Sequence, residues 1–183
     1  MDVARLARAF AAPAVAALLA GALLAGCGDD PTETDVSPAA GISGQIGAVD
    51  VRDLFVLGGQ EGETIQRGGS VPVYMTLVNS PSDAESLDAS GSPDPRAGTD
   101  RLTAVSSPQA ASAEIVGGSV RLPAGENVRI GPKPTIVLRG LKQAVQSGQF
   151  VPITFRFERS GSGSLNVPVQ AREGDLESYS PAP

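Results

Sequence analysis

FVPITFRFERSGSGSLNVPVQ, residues 150–170, is the stretch of sequence that decides the fold. Apolar and polar residues alternate in its first part, and the apolar series is Val151, Ile153, Phe155 and Phe157. Side chains two positions apart on a β-strand lie on the same face, so this period directs all four into a core. The alternation returns over residues 164–170, and the Ser- and Gly-rich segment 159–164 is typical of a turn. The stretch therefore predicts an antiparallel β-hairpin.

Short runs of the same kind fill residues 46–170. The clearest is Val71–Asn79, and weaker strands are predicted at Val49–Leu57, Arg101–Ser107, Ala113–Val116, Ser119–Leu122, Asn127–Ile130 and Thr135–Arg139. In Val49–Leu57 the alternation changes phase around Asp53, as a β-bulge would cause. Only residues 140–147 could form a turn of helix. Seven to nine strands over this length predict an all-β domain, a Greek-key β-sandwich with one core.

Three segments are predicted to lie outside the packed domain. Residues 27–45 read as a flexible acidic tether, because the acidic residues at their start lack the spaced ligands and turn glycine of a calcium loop. Residues 80–99 are rich in Ser, Asp, Pro and Gly and are predicted to be a disordered insertion. Residues 171–183 are predicted to be a disordered tail.

Residues 1–26 have the organisation of a secretory signal. Two arginines precede an apolar run over residues 9–24, which is shorter than the roughly 20 residues that a membrane-spanning helix needs. The following Leu24-Ala25-Gly26-Cys27 resembles the bacterial lipobox, which implies that Cys27 receives a lipid and that the chain is cut before it. The alternatives are a thiol inside a transmembrane helix and a secreted protein with an incidental cysteine. Because several acyl chains hold a protein stably on a membrane, we expect a lipid anchor on the extracytoplasmic face of a bacterial plasma membrane.

The composition excludes several classes of function. The 183 residues include no histidine and a single cysteine, so no Ser-His-Asp triad, histidine metal site or intramolecular disulfide can form. With 14 Lys and Arg against 20 Asp and Glu, the net charge is −6. Nucleic acid is therefore not an expected partner, since its binding depends on basic side chains that neutralise phosphates. No cofactor is predicted.

Five strings occur in the order found in the PCu(A)C family of periplasmic copper chaperones. They are VYMTLVN at 73–79, DRLTAVSSP at 100–108, LPAG at 122–125, VLRGLK at 137–142 and FVPITFRFE at 150–158. Together with the lipobox and the sequence at 155–170, they resemble the actinobacterial LpqE-like lipoprotein branch. The resemblance covers residues 46–170 and implies a cupredoxin-like β-sandwich.

The copper ligands of that family are not found at the matching positions. Copper-binding members hold Cu(I) with His and Met, including a late His-x-Met set. The resemblance places this set at Thr135 and Val137 and an early His near Val116. If Ile136 points inward, residues 135, 137 and 139 share the outward face. None of the three matching positions carries a copper ligand, so no metal site is predicted. Met75 is expected to fill the core.

These observations favour a non-enzymatic lipoprotein that binds an unidentified envelope protein or component and has lost the family's copper site. The loop at 80–99 is its variable surface. The alternative is a role in copper homeostasis with ligands supplied by a partner, which depends on the resemblance alone. An enzyme would need a nucleophile and a base, and Ser106 or Ser107 with Lys142 has no spacing that supports such a pair.

Overall fold

Strands form nearly all of the regular structure in the computed structural model, which describes residues 41–80 and 98–183. The strands are β1 Ile42–Ile46, β2 Val49–Leu57, β3 Thr64–Ile65, β4 Ser70–Asn79, β5 Asp100–Ser106, β6 Ala110–Ile115, β7 Val120–Leu122, β8 Asn127–Ile130, β9 Ile136–Leu141, β10 Val145–Gln146, β11 Phe150–Phe157 and β12 Ser162–Gln170. Within these ranges the one helical element is a 3₁₀ helix, Gly174–Ser178.

Ten strands form one large sheet that folds back on itself. The order is β6-β9-β4-β2-β12-β11-β5-β7, with β1 added to β2 and β8 to β4, while β3 and β10 form a separate ribbon. Neighbours such as β4 and β9 are distant in the chain, and β2 pairs with β12 in parallel. Buried side chains from both ends of this order share one core. The prediction of an all-β sandwich is confirmed.

The predicted hairpin is present as β11 and β12. The two strands pair antiparallel, with Val151 opposite Val167 and Ile153 opposite Leu165. The four apolar residues of β11 named above are all buried, at 3% exposure or less. The turn is closed by a hydrogen bond that the Phe157 N–H donates to the Gly161 carbonyl at 2.7 Å. Strict alternation was thus a sufficient signal for this element.

The predicted bulge in β2 is also present. The register to β4 shifts between Arg52 and Phe55, and Asp53 has a φ of 51°. Before the shift Val49 and Val51 face the main core, and after it Leu54 and Val56 do. The bulge therefore turns Phe55 and Leu57 to the opposite face of the sheet, where they form a small second cluster with Tyr74. We call this side of β2 and β4 the outer face.

Several boundaries differ from the predictions. The tether does not extend to residue 45, because β1 begins at Ile42 and pairs with β2. Its alternation is hidden by small residues, so β1 resembles a linker in composition. Residues 140–147 contain the end of β9 and the short β10 instead of a helical turn. Residues 1–40, with the predicted signal and Cys27, lie outside the described residues, as do 81–97 of the predicted insertion.

The prediction of a disordered tail at 171–183 is wrong. The 3₁₀ helix lies in this segment, and Leu176 and Tyr179 pack against the cluster on the outer face. The physical reason is that the bulge leaves Phe55 and Leu57 on the side of the sheet away from the main core. Apolar side chains there are stabilised by removal from water, and the tail supplies the cover.

Candidate functional site

The positions that the resemblance assigned to copper ligands lie side by side. Strands β6 and β9 are antiparallel neighbours, with Ile115 opposite Ile136. One residue beyond this pair, the Val116 N–H donates a hydrogen bond to the Thr135 carbonyl at 2.8 Å. The fold therefore brings residues 116 and 135 together across adjacent strands.

The side chains at these positions are poor ligands for a metal ion. Val116 is 54% exposed and Thr135 is partly exposed. Val137 was expected on an exposed outward face with residues 135 and 139, but it is fully buried. On this side of the sheet the Arg139 guanidinium donates to the Pro183 carbonyl at 3.5 Å, which places the end of the tail beside β9.

Carboxylate and sulfur ligands do not replace the missing histidines here. Glu114, opposite Val137, forms an ion pair with Arg139 at 2.8 Å. Met75 is 2% exposed and belongs to the main core, as predicted. Across residues 41–80 and 98–183 there is no group of three His, Cys, Asp or Glu side chains that could hold a metal ion.

Three aromatic rings hold the tail on the outer face. The Tyr179 ring meets Phe55 and Tyr74 edge-on, with centroid distances of 5.4 and 4.8 Å. The Tyr74 hydroxyl donates to the Ser180 carbonyl, and Arg129 donates to the Tyr179 hydroxyl at 2.6 Å. Burial, and secondly the neighbouring Tyr179, raise the pKa of Tyr74 to about 12. The neutral phenol is therefore the form that this contact favours.

Gly131 is required beside the same rings. Its φ is +144°, and a Cβ built there would lie 2.9 Å from the Tyr179 ring and 3.2 Å from the Tyr74 ring. A side chain at this position would push Tyr179 away from the sheet. The loop between β8 and β9 is thus shaped to accept the tail.

A buried carboxylate fixes the β11–β12 turn to the start of β5. Asp100 is 3% exposed and accepts hydrogen bonds from the backbone N–H groups of Arg101, Arg159 and Ser160 at 2.7 to 2.9 Å. Burial by itself raises the pKa of Asp100, but these hydrogen bonds and one from the Ser160 side chain outweigh it, so the pKa is lowered. All these donors belong to the domain itself, and we assign Asp100 a structural role.

A cavity opens where the tail leaves β12. Its volume is about 840 Å³, and its wall includes Phe55, Val169 and Gln170 from the sheet and Leu176 from the tail. Cavities of roughly 300–1,000 Å³ are the usual size for small-molecule sites. Sequence reasoning missed this cavity because five of its fourteen lining residues belong to the segment predicted to be disordered.

Two of the residues considered for catalysis, Ser107 and Lys142, have structural partners. The Ser107 hydroxyl accepts a hydrogen bond from the Gln109 N–H at 3.2 Å, which closes a turn. The Lys142 ammonium donates to the Pro108 carbonyl at 2.9 Å.

No described helix has the length and apolar character to cross a bilayer.

The chain is similar to lipoproteins of one family. The family model described as "Putative lipoprotein LpqE-like" matches residues 49–169. Over 172 residues the chain is 30% identical to proteins named "Putative lipoprotein LpqE" from Mycobacterium bovis and Mycobacterium tuberculosis, covering 85% of this chain and 85% of each relative. "Putative lipoprotein Lxx21020" from Leifsonia xyli subsp. xyli is 35% identical over 60 residues, which are 32% of this chain and 36% of that one.

Solved structures with the same architecture include two PCuAC domains. The "Copper-bound PCuAC domain from PmoF2" has a TM-score of 0.53 and 21% identity, covering 71% of this chain and 98% of that chain. The "Apo PCuAC domain from PmoF1" has a TM-score of 0.54 and 19% identity, covering 71% and 99%. At these identities the likeness establishes the cupredoxin-like fold alone. The chain therefore belongs to the LpqE-like lipoprotein family and has a domain with the fold of PCuAC copper chaperones.

Proposed function

We propose that the protein is an envelope lipoprotein, anchored through Cys27 on the extracytoplasmic face of the plasma membrane, which acts as a non-enzymatic binding module. It does not bind copper through the site that its copper-binding relatives use. Its partner is an envelope protein or component contacted through the loops of the sandwich.

One observation carries the copper part of the proposal. Residues 116 and 135, where the resemblance places two of the ligands, are joined by a backbone hydrogen bond of 2.8 Å and are therefore neighbours in the sheet. Their side chains are those of Val116 and Thr135, neither of which is the soft thioether or imidazole that Cu(I) prefers. The carboxylate of Glu114, two residues before Val116 in the chain, is engaged by Arg139.

The ionisable groups support a binding module over an enzyme. A general acid or base works best with a pKa near the operating pH. The two buried groups with shifted pKa values move away from neutrality, Asp100 downward and Tyr74 upward to about 12. Both are held by hydrogen bonds within the domain.

Isothermal titration with Cu(I) under reducing conditions tests the copper part. The sample is the mature chain, residues 27–183 with Cys27→Ser, which retains every residue of the described fold. We expect no binding tighter than micromolar. The double variant Val116→His with Thr135→His should gain affinity if these positions retain the geometry of a site. Sub-micromolar binding by the chain without these histidines would overturn the proposal and favour a role in copper homeostasis.

Membrane fractionation tests the anchor. The protein should sediment with membranes and become soluble after the substitution Cys27→Ser, because the lipid is lost. External protease should digest it in cells whose outer layers are permeabilised. Retention of the Cys27→Ser variant in membranes would contradict the anchor, and protection from protease would contradict the proposed face.

A pull-down from native membranes tests the loop. The lipidated protein and a variant lacking residues 80–99 are compared for the partners they retain. If the loop is the binding surface, its deletion removes the specific partner. An unchanged set of partners would identify the loop as a spacer.

A further inference from the structure

Strands β12, β11, β5 and β7 are neighbours in the sheet and present one side to solvent. The register of β11 on β12 is regular from Phe150 to Arg156, so alternate residues of this stretch point outward and the others are buried. We call the outward side the arginine face, after its exposed charged residues Arg101, Arg121 and Arg156. The other exposed residues of β5 and β12 are uncharged and shorter than arginine: Thr103, Ala104, Ser106, Ser162, Ser164 and Asn166.

The arginine face is positive although the chain has a net charge of −6. Arg101 lies directly opposite Arg121 in the pairing of β5 with β7, and like charges in such pairs destabilise a sheet. Glu158, which follows β11, forms an ion pair with Arg101 at 3.5 Å. Arg121 and Arg156 form no ion pair in the described parts of the chain. The face therefore has an excess of positive charge that an external anion would neutralise.

An exposed aromatic ring lies on the same face. Phe150 begins β11, is 51% exposed and shares the outward side of the strand with Arg156, about 20 Å away at about 3.3 Å per residue. Guanidinium groups bind phosphate oxygens, often through two hydrogen bonds. Aromatic rings are stable at the boundary between lipid head groups and acyl chains. Arginines and an aromatic ring on one open face fit a phospholipid surface, whereas a free phosphate ion would make no use of Phe150.

The chain toward Cys27 leaves the domain at the Phe150 end of this face. Gly41, where the described structure begins, and Gly148, two residues before Phe150, line the same cavity. Residues 28–41 can span at most about 46 Å, at about 3.3 Å each. The eight residues of β11 are about 26 Å long at the same rise. The link is therefore long enough for the arginine face to lie on the membrane that holds the lipid.

We propose that the arginine face docks on an anionic phospholipid surface. Arg101, Arg121 and Arg156 bind head-group phosphates, and the Phe150 ring inserts at the boundary with the acyl chains. The surface is that of the membrane in which the lipid on Cys27 is embedded, so the inference rests on the proposed function and deepens it. The outer face of β2 and β4 lies across the shared core and is turned away from the membrane.

Nanodiscs test the contact. The mature chain, residues 27–183, is coupled through its single cysteine, Cys27, to a maleimide lipid, which supplies the anchor whether or not a cell adds one. Paramagnetic relaxation from a gadolinium lipid then reports which backbone amides approach the bilayer. With equal parts of phosphatidylcholine and phosphatidylglycerol, we expect the amides of β5, β7 and β11 to relax fastest, and phosphatidylcholine alone should remove most of this enhancement. Fractionation of Cys27→Ser tests the cellular anchor separately, so either result can fail without the other.

Charge variants test the arginines. Arg121→Gln with Arg156→Gln should lower the fraction of domains in contact by roughly tenfold or more, because each arginine near an anionic lipid surface changes binding by about fivefold. The matched control is Arg67→Gln with Lys133→Gln, which removes the same charge from exposed positions outside the face. We expect the control to change contact by less than about twofold, since salt screens charges distant from the lipid.

An apolar pair of variants tests the ring. Phe150→Ser should reduce contact by about tenfold, because about half of a large apolar side chain is no longer removed from water. Its control is Val116→Ser, which changes an apolar residue of similar exposure, 54%, outside the arginine face and should leave contact unchanged.

Four outcomes would overturn the proposal. The first is equal relaxation of the arginine face and the outer face, and the second is the same pattern in phosphatidylcholine alone; both would favour an acidic protein as the occupant. The third is an equal loss in a variant and its matched control. The fourth is contact that appears only after deletion of residues 80–99, which would identify that insertion as the occupant of the arginines.

Discussion

Tyr179→Ala should destabilise the domain strongly, because the residue holds the tail on the outer face. A fully buried aromatic side chain removes about 150–250 Å² from water. Tyr179 is partly buried, so we take about 100 Å², which at about 25 cal/mol/Å² gives about 2.5 kcal/mol. The edge contacts with Phe55 and Tyr74 add roughly 0.5–1.5 kcal/mol. We expect the free energy of unfolding to fall by about 3 kcal/mol.

The assay is urea denaturation of the mature chain, with thermal unfolding as a second measurement. For a chain of this length each kcal/mol lowers the Tm by about 2–4 °C, so Tyr179→Ala should lower it by about 10 °C. The control is Tyr179→Phe, which keeps the ring and loses only the exposed hydrogen bond from Arg129. We expect it to cost less than about 1 kcal/mol.

The outcome that refutes this reasoning is a Tyr179→Ala variant within about 0.5 kcal/mol of the unsubstituted chain, which is typical of an unpacked surface position. The tail would then behave as the disordered segment that the sequence predicts. The cavity beside the tail would then lose one wall.

Three further predictions concern buried polar groups. Asp100→Asn should cost about 2 kcal/mol at neutral pH, because an amide cannot accept all the hydrogen bonds that the carboxylate receives. Because the pKa of Asp100 is lowered in the folded state, its ionised carboxylate stabilises the fold at pH values above the ordinary pKa of 3.8. This stabilisation is lost as the pH falls through the folded-state pKa, so acid should destabilise the unsubstituted chain more than the Asn variant. Gln170→Leu should be neutral or stabilising by up to about 1 kcal/mol in urea denaturation, since it removes an unpaired donor; a loss above 2 kcal/mol would mean that the amide has a partner. In Tyr179→Phe, which removes the second of the two causes that raise the pKa of Tyr74 and keeps burial, the largest, tyrosinate absorbance should report Tyr74 ionising above 10, and stability should decline as the pH rises through that range. A midpoint at 10 would show that the Tyr74 phenol is solvated.

Local pattern was enough to predict the strands whose two faces differ. The hairpin of β11 and β12 has one face in the core and one toward water, and the alternation of apolar and polar residues in its sequence predicts this directly. In β2 the change of phase around Asp53 was visible because core-facing valines precede it and core-facing Leu54 and Val56 follow it. The shortest strands, β3 and β10, have two residues each and could not be distinguished from turns.

The tail could not be predicted from local pattern because its order depends on a distant surface. Leu176 and Tyr179 are the only large apolar residues from 172 onward, too few to indicate packing alone. The signal that could have found them lies in β2 and β4, where Phe55, Leu57 and Tyr74 interrupt a face expected to be polar. For the metal positions, the resemblance located residues 116 and 135, and spacing alone could not have shown that they are neighbours.

The parallel pairing of β2 with β12 has a kinetic consequence. Val56 pairs with Val169, 113 positions further along the chain, and Val56 has its other neighbour in β4. Contacts of such sequence separation form slowly, because a long loop must close before the pairing is gained. The sheet therefore remains open until nearly the whole chain is available. If the chain is exported as we propose, late closure would keep the polypeptide unfolded during translocation and would delay the collapse of the domain until the chain has crossed the membrane.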